Sequence, residues 1–433
     1  MAGQLALVPG RAWLVRSSTI RGQEGLAVLS RVSAPDSSSN WRFVILALCV
    51  LTPFGIVTMP NLSLPPMFSI ISEELGLSLV EVGGIWGMVG FSGVFFAIIG
   101  GSIGDRLGAR NMLFLICLLS GVFGMLRAVA TDFGSLLLIS LLYGCAQGSV
   151  PVIIFKSIRQ WFPRENLGMA SGVVSAGFAS GLMLGPLLST SVILPALGGW
   201  RQVLVLYGLL AIVISLLWWL LHPAGVHAVG DEGHAPDVIA GLRRVVRLRS
   251  LWLMGLGGIG IGACFSGFSG YLPTYLKNVG WAPLDADRAL SLFFLASLIC
   301  VVPISTLSDR LRIRRGFLVA LALLLGLGVG ALGLVAGALV LLVAVVTGSS
   351  FDSVMAMQQV SVMELDGMDN SLSGSALGMF TTIRNLGIAF APPLGNSLAI
   401  YGPGLPFLFW GACGVFAALI FSIAFKPPRR AKA

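Results

Sequence analysis

The chain of 433 residues is 56% hydrophobic and only 10% charged, with a mean hydropathy of +0.93. A soluble domain carries about a quarter charged residues, so this composition cannot cover a water-facing surface, and lipid must be the solvent for most of the chain. The formal net charge of +9 comes from Lys and Arg in short clusters between long apolar runs. That is the pattern of topology signals beside membrane spans, not the contiguous basic face of a nucleic-acid binder, and no nucleic-acid partner is expected.

Residues 1–40 are Ser-rich, with Arg11, Arg16, Arg21 and Arg31 against the acids Glu24 and Asp36. Their apolar stretches are too short for a signal-peptide core, and the Arg/Ser bias faintly matches a transit peptide. A disordered cytoplasmic tail, or an over-extended start, is expected.

Beyond it, a bilayer core needs about 20 apolar residues per helix. Runs of that kind fall at 43–70, 79–101, 112–130, 134–157, 167–194, 202–222, 252–276, 288–307, 316–335, 338–362, 372–400 and 405–425. They form two groups of six, and Pro53, Pro60, Pro65 and Pro66 interrupt the first run. The implied organisation is a bundle over 41–222, a polar cytoplasmic linker over 223–250 ending in Arg243, Arg244, Arg247 and Arg249, a second bundle over 251–426 and a short tail over 427–433. With both termini inside, most Lys and Arg lie on the cytoplasmic side, as in a plasma or inner membrane. Arg127, Arg201, Lys277 and Arg288 then fall outside, and Arg384 falls within a span.

The expected fold is an all-α polytopic membrane protein with twelve transmembrane helices in two pseudo-symmetric six-helix bundles. The six cysteines sit in apolar segments without Cys-x-x-Cys spacing, and only three His are present, so no metal site, disulfide framework or cofactor is indicated. No nucleophile and base pair is placed for catalysis, so an enzyme is not expected.

The halves repeat one another. "GGSIGDRLGAR" after the second run is echoed by "ISTLSDRLRIR" after the eighth, and Gly168, Gly172 and Pro186 by Gly374, Gly378 and Pro392 at nearly the same offset. A duplicated six-helix unit is an architecture of alternating-access transporters.

Over residues 41–426 the chain resembles the major facilitator superfamily. The signature Gly-x-x-x-Asp-Arg-x-Gly-x-Arg is matched by Gly101, Asp105, Arg106, Gly108 and Arg110. The second copy keeps Asp309, Arg310 and Arg314 but has Ser305 and Arg312 for its glycines. "RQWFPRENLGMASG" (159–172) and "GGWRQVLVLYG" (198–208) also look like loops of that superfamily. The resemblance implies the superfamily's fold, monomeric in the bilayer, and a gating role for the two loop motifs. An acid at a helix end can face the positive end of a helix from the other half and pair with neighbouring arginines. The alternative is that the arginines only hold the loop in the cytoplasm.

On the fifth run Gly177, Gly181, Gly185 and Pro186 form a stripe suited to close helix packing. A Gly-x-x-x-Gly-Pro-x-x-Gly-Gly element here is associated in the superfamily with drug antiporters, but Ser189 and Thr190 replace the last pair. Gly144 stands where proton-coupled antiporters carry an Arg, and the first run has no acid.

Two charges lie deep in the spans, Asp352 and Arg384. Each costs at least ~2.5 kcal/mol on insertion scales and therefore needs a reason. Either they neutralise each other as a buried pair, or Arg384 meets an anionic solute while Asp352 carries a proton. The resemblance implies that helices 1, 4, 7 and 10 line the cavity. That makes Tyr143 and Gln147, Tyr271 and Tyr275, and Gln359 on the face of Asp352 further candidates for solute contact. The expected function is secondary active transport of a small organic anion by alternating access, with a possible coupling proton. The alternatives are a drug or metabolite efflux antiporter, or a transporter-like membrane sensor.

Overall fold

The computed structural model describes residues 41–223, 243–311, 313–365 and 373–424, and every regular element among them is a helix. Both expected tails and most of the linker lie outside the described residues. In chain order the first helix is α1 (Trp41–Leu62), extended by Leu64–Leu75. Next comes Leu79–Leu126, continuous except at Gly108, where φ 76° and ψ 160° are open to glycine but not to an α-helix. Its apolar arms are α2 (Leu79–Ser92) and α3 (Leu107–Val129), the latter including the 3-10 turn Arg127–Val129. The remainder are α4 (Phe133–Trp161), α5 (Leu167–Leu197), α6 (Trp200–Leu221), α7 (Arg249–Asn278), α8 (Pro283–Leu311), α9 (Arg314–Leu332), α10 (Leu339–Met363), α11 (Ser373–Asn396) and α12 (Leu405–Ala424).

Ten of these helices are long and apolar enough to cross a membrane by length and composition. With α2 and the Arg384-bearing α11 they make the twelve-helix arrangement. Leu220, Val302, Leu334 and Ile423 are largely exposed on the outer faces of the bundles. In a soluble protein such apolar surface would be a liability; against acyl chains it is the favoured face.

Local chemistry explains where the helices start and bend. Ser78 and Glu81 cap α2 reciprocally, the Ser78 amide donating to Glu81 Oε2 at 2.8 Å. Asp132 and Ser135 do the same for α4. Such boxes satisfy amides that have no partner within the helix. In α1, Pro53 lacks an N–H and the helix widens into a π segment over Pro53–Thr58. Further breaks interrupt α4 between Phe133–Gln147 and Val150–Trp161, and α10 between Leu339–Gly348 and Phe351–Met363.

The α5 stripe packs on α1. A Cβ at Gly177 would lie 2.9 Å from the Val50 carbonyl oxygen, and one at Gly185 2.8 Å from that of Met59. The Gly-x-x-x-Gly spacing thus serves close backbone approach.

At the end of the bundle away from Trp41 and Ala424, the two halves meet. α2 lies against α11: a Cβ at Gly83 would be 2.8 Å from the Pro393 nitrogen, and Asn396 Nδ2 donates to the Leu79 carbonyl at 2.7 Å. Trp86 Nε1 donates across to Ser266 of α7 at 2.9 Å. Lys277 of α7 bonds the Pro66 carbonyl at 2.6 Å and pairs with Asp287 of α8 at 3.1 Å, while Thr190 of α5 donates to the same carboxylate. At the opposite end, added Cβ atoms at Gly168, Gly172, Gly374 and Gly378 would meet nothing within 4 Å. The halves are therefore joined at the far end and apart at the end where the described chain starts and stops.

Candidate functional site

Arg384 sits midway along α11, with its stem laid across two glycines of α7. A Cβ at Gly258 would be 3.3 Å from Arg384 Cβ, and one at Gly262 3.3 Å from Arg384 Cγ. The absence of side chains there lets the guanidinium reach α10, where Nη1 lies 3.6 Å from Met355 Sδ. Its Nε is enclosed without a hydrogen-bond partner, and no carboxylate pairs with it among the described residues.

Asp352 follows the break in α10 and is engaged by Ser297 of α8. The hydroxyl donates to Asp352 Oδ2 at 2.7 Å and accepts from the Asp352 amide at 2.9 Å. The break thus frees an amide that Ser297 takes up, and the carboxylate is oriented by a neutral group. Of the two readings of Asp352 and Arg384, the neutralising pair is not formed in this conformation: they lie on adjacent helices, but among the described residues they form no salt bridge. Helical spacing placed each at mid-depth, but not which way each side chain turns.

In the first half, Tyr143 and Gln147 do share a face of α4, and both address α1. Tyr143 Oη donates to the Ile56 carbonyl at 3.1 Å, and Gln147 Nε2 donates to the same oxygen. Gln147 Oε1 accepts from Asn61 Nδ2 at 2.9 Å. Ile56 belongs to the π segment, whose irregular backbone leaves its carbonyl for these two donors. Asn61 was not singled out in the sequence, because a lone Asn at a proline-rich helix end carries no pattern.

Tyr271 and Tyr275 are packed against a neighbouring helix in this conformation. They share a face as their spacing requires, but that face meets α12: Tyr271 contacts Phe407 and Trp410, its hydroxyl reaches the Pro403 carbonyl at 3.3 Å, and Tyr275 packs edge-on to Phe407. Periodicity fixes which residues align but not which neighbour they face. On the same helix every residue from Gly260 to Leu276 is buried except Phe265, which keeps partial exposure. On α10, Gln359 is exposed, whereas its neighbour Gln358 is buried with no partner for either amide atom among the described residues.

Of the loop motifs, Gly101, Asp105 and Arg106 lie outside the residues whose side chains are described. Gly108 makes the turn, and Arg110 holds α3 to α6, its Nε donating to the Trp219 carbonyl at 3.2 Å and its guanidinium lying 4.7 Å from the Trp219 ring centroid. In the second copy Asp309 pairs with Arg314 at 2.9 Å, and Arg314 also binds Glu364 at the end of α10. Arg310 is exposed. Arg110, Asp309 and Arg314 thus bond within their own halves, at the end where the halves are apart.

Two further buried charges were not expected. Arg127, assigned from the sequence to an outer loop, is 1% exposed and lies 3.7 Å from the centre of the Tyr143 ring. Asp287 is fully buried at the far-end junction. Arg127 stands at a span end, where a basic residue reads as a topology signal.

With this geometry in place, the relatives are informative. A family model described as Major Facilitator Superfamily matches residues 43–387 and again 278–433. The chain is 28% identical over 275 residues to the probable nitrate/nitrite antiporter NarK1 of Thermus thermophilus, covering 60% of this chain but only 58% of the antiporter. It is 25% identical over 428 residues to the gallate transporter of Pseudomonas putida, covering 87% and 92% of the two chains. Among solved structures, a variant of the nucleoside transporter NupG shares the fold at a TM-score of 0.75 and 15% identity, with 89% of this chain and 100% of that one covered. Fold, repeated halves and family model agree, and the chain belongs to the Major Facilitator Superfamily.

Proposed function

We propose that the chain is a secondary active transporter of a small organic anion, working by alternating access between the two bundles. The observation that carries this reading is Arg384: a cation at mid-depth, between α7 and α10, with no carboxylate paired to it among the described residues. A charge held there at such cost is explained by a solute that neutralises it. The names of the gallate and nitrate/nitrite relatives describe carriers of anions and support the same sign of cargo.

Asp352 is the coupling group in this reading. Oriented by Ser297 rather than by a cation, it is free to exchange a proton while Arg384 is loaded or empty. In the first half Gln147, Tyr143 and Asn61 are the polar groups that meet the solute, and the loop motifs close the termini side when the far end opens. The working unit is a monomer in the plasma membrane, with bundles at 41–222 and 251–426 and both termini in the cytoplasm. The Gly-Pro element of α5 does not call for a drug cargo, because its glycines are occupied by α1.

The test is uptake by the purified full chain in liposomes across a panel of organic acids and cationic dyes. Acid transport driven by an inward proton gradient is expected. Dye movement without acid transport would replace this reading with an exporter.

A further inference from the structure

Resting on Arg384 as the anion contact, we propose that the anion is an aromatic monocarboxylate whose ring lies against Phe265. Two connections, each one helical turn long, lead from the Arg384 side chain to that ring. On α7, Gly262 touches the Arg384 stem, and Phe265 follows three residues later on the same side. On α10, Met355 touches the guanidinium, and Phe351, four residues earlier, stacks on Phe265 with centroids 4.6 Å apart and planes 20° from parallel.

Phe351 is 4% exposed, backed by Phe293 and Phe294 of α8, so the stack is anchored on its protein side. Phe265 alone along its stretch of α7 keeps exposure. A ring retained only for packing would be buried as Phe351 is. One turn of helix is ~5.4 Å, close to the span of a benzene ring, so a carboxylate on Arg384 brings an attached ring beside Phe265. Met355 already touches the guanidinium, and its polarizable sulfur suits the edge of an aromatic guest. The site thus offers a cation for the carboxylate and an aromatic face for the ring, whereas a sugar acid would need hydrogen-bonding partners along that wall.

The experiment compares 4-hydroxybenzoate, cyclohexanecarboxylate and glucuronate as competitors in counterflow by the full chain in liposomes. The aromatic acid is expected to compete about two- to tenfold better than its saturated analogue, the advantage that the ~0.5–1.5 kcal/mol of an aromatic contact supplies. Phe265→Tyr should keep the preference, and Phe265→Leu should reduce it to near parity while acids are still carried. Equal or better competition by cyclohexanecarboxylate or glucuronate in the parent chain overturns the aromatic assignment and leaves the anion reading standing. Failure of every acid to compete overturns both. Because the parent chain alone discriminates these results, a variant that fails to insert does not shelter the proposal.

Discussion

Arg384 and Asp352 occupy neighbouring helices at similar depth, yet each is held by an uncharged partner, Met355 for the guanidinium and Ser297 for the carboxylate. That separation changes the expected energetics. Removing one member of a buried ion pair strands the other charge and costs about 3–5 kcal/mol. Removing an uncompensated charge strands nothing. Arg384→Gln should therefore insert and melt at or above the parent temperature while acid uptake falls to background. Asp352→Asn should lose the pH dependence of uptake yet retain solute exchange, which moves no net proton. Thermal unfolding in detergent, beside uptake and counterflow in liposomes, reads both. A marked loss of stability in Arg384→Gln, restored by adding Asp352→Asn, would mean that the two pair after all. The sequence made this pair visible, because charges inside apolar runs are rare and conspicuous. Phe265 was hidden, one aromatic among many, since nothing in periodicity marks the side chain that stays uncovered.

Helices were legible because lipid enforces them: each run has to satisfy its own backbone, so length and hydropathy locate it. Their interruptions were less so. Pro53 announces a defect but not that it widens α1 by a π segment, and the break at Ser349–Ser350 involves residues that also sit inside unbroken helices. The stripe Gly177, Gly181 and Gly185 announced close packing, and only the structure names α1 as the partner. The end of α6 offers an element-scale test. His222 is buried between the Trp161 and Trp218 rings, at 5.6 and 5.8 Å between centroids, and its Nδ1 lies 3.0 Å from the Pro223 carbonyl. That oxygen only accepts, so Nδ1 carries the proton, and Nε2 has no partner among the described residues. Burial, aided by nearby Arg110, holds the imidazole pKa below its ordinary 6.5 against the opposing pull of the Pro223 carbonyl. A depressed pKa leaves stability intact above 6.5 and removes it as pH falls further, because the unfolded chain takes up the proton first. The melting temperature should therefore drop between pH 7.5 and 5.5, and His222→Phe, which fills the space without titrating, should shrink that drop. An unchanged pH difference in the variant would rule His222 out.

At the scale of the whole molecule, alternating access requires that the junction at the far end be strong enough to hold and weak enough to break. Asp287 is where it can be loosened by one side chain. The carboxylate is fully buried, accepts from Thr190 of the first half, and pairs with Lys277, which itself reaches the Pro66 carbonyl of the first half. One acid thus organises two bonds between the halves. Asp287→Asn keeps the shape and an acceptor for Thr190 but takes away the charge that positions Lys277. The ammonium then prefers water, which it reaches only when the far end opens. If the change costs the closed state about 1.4 kcal/mol, the ratio of far-end-open to far-end-closed molecules rises about tenfold. Spin labels on Thr131→Cys and Val279→Cys, exposed positions at the far end of the two halves, would report this in a chain freed of its own cysteines. The parent should show mainly the short distance of the closed end, and Asp287→Asn a second, longer population. Uptake should change with it, since a far end that opens too readily slows the return step. The neighbouring pair Asp285 and Arg288, 3.0 Å apart but half exposed, is the control: among the described residues it bonds nothing in the other half, and Asp285→Asn should leave the distance distribution unchanged. An identical distribution in Asp287→Asn and the parent would show that the small-residue contact of α2 with α11, and not this charge, keeps the far end shut.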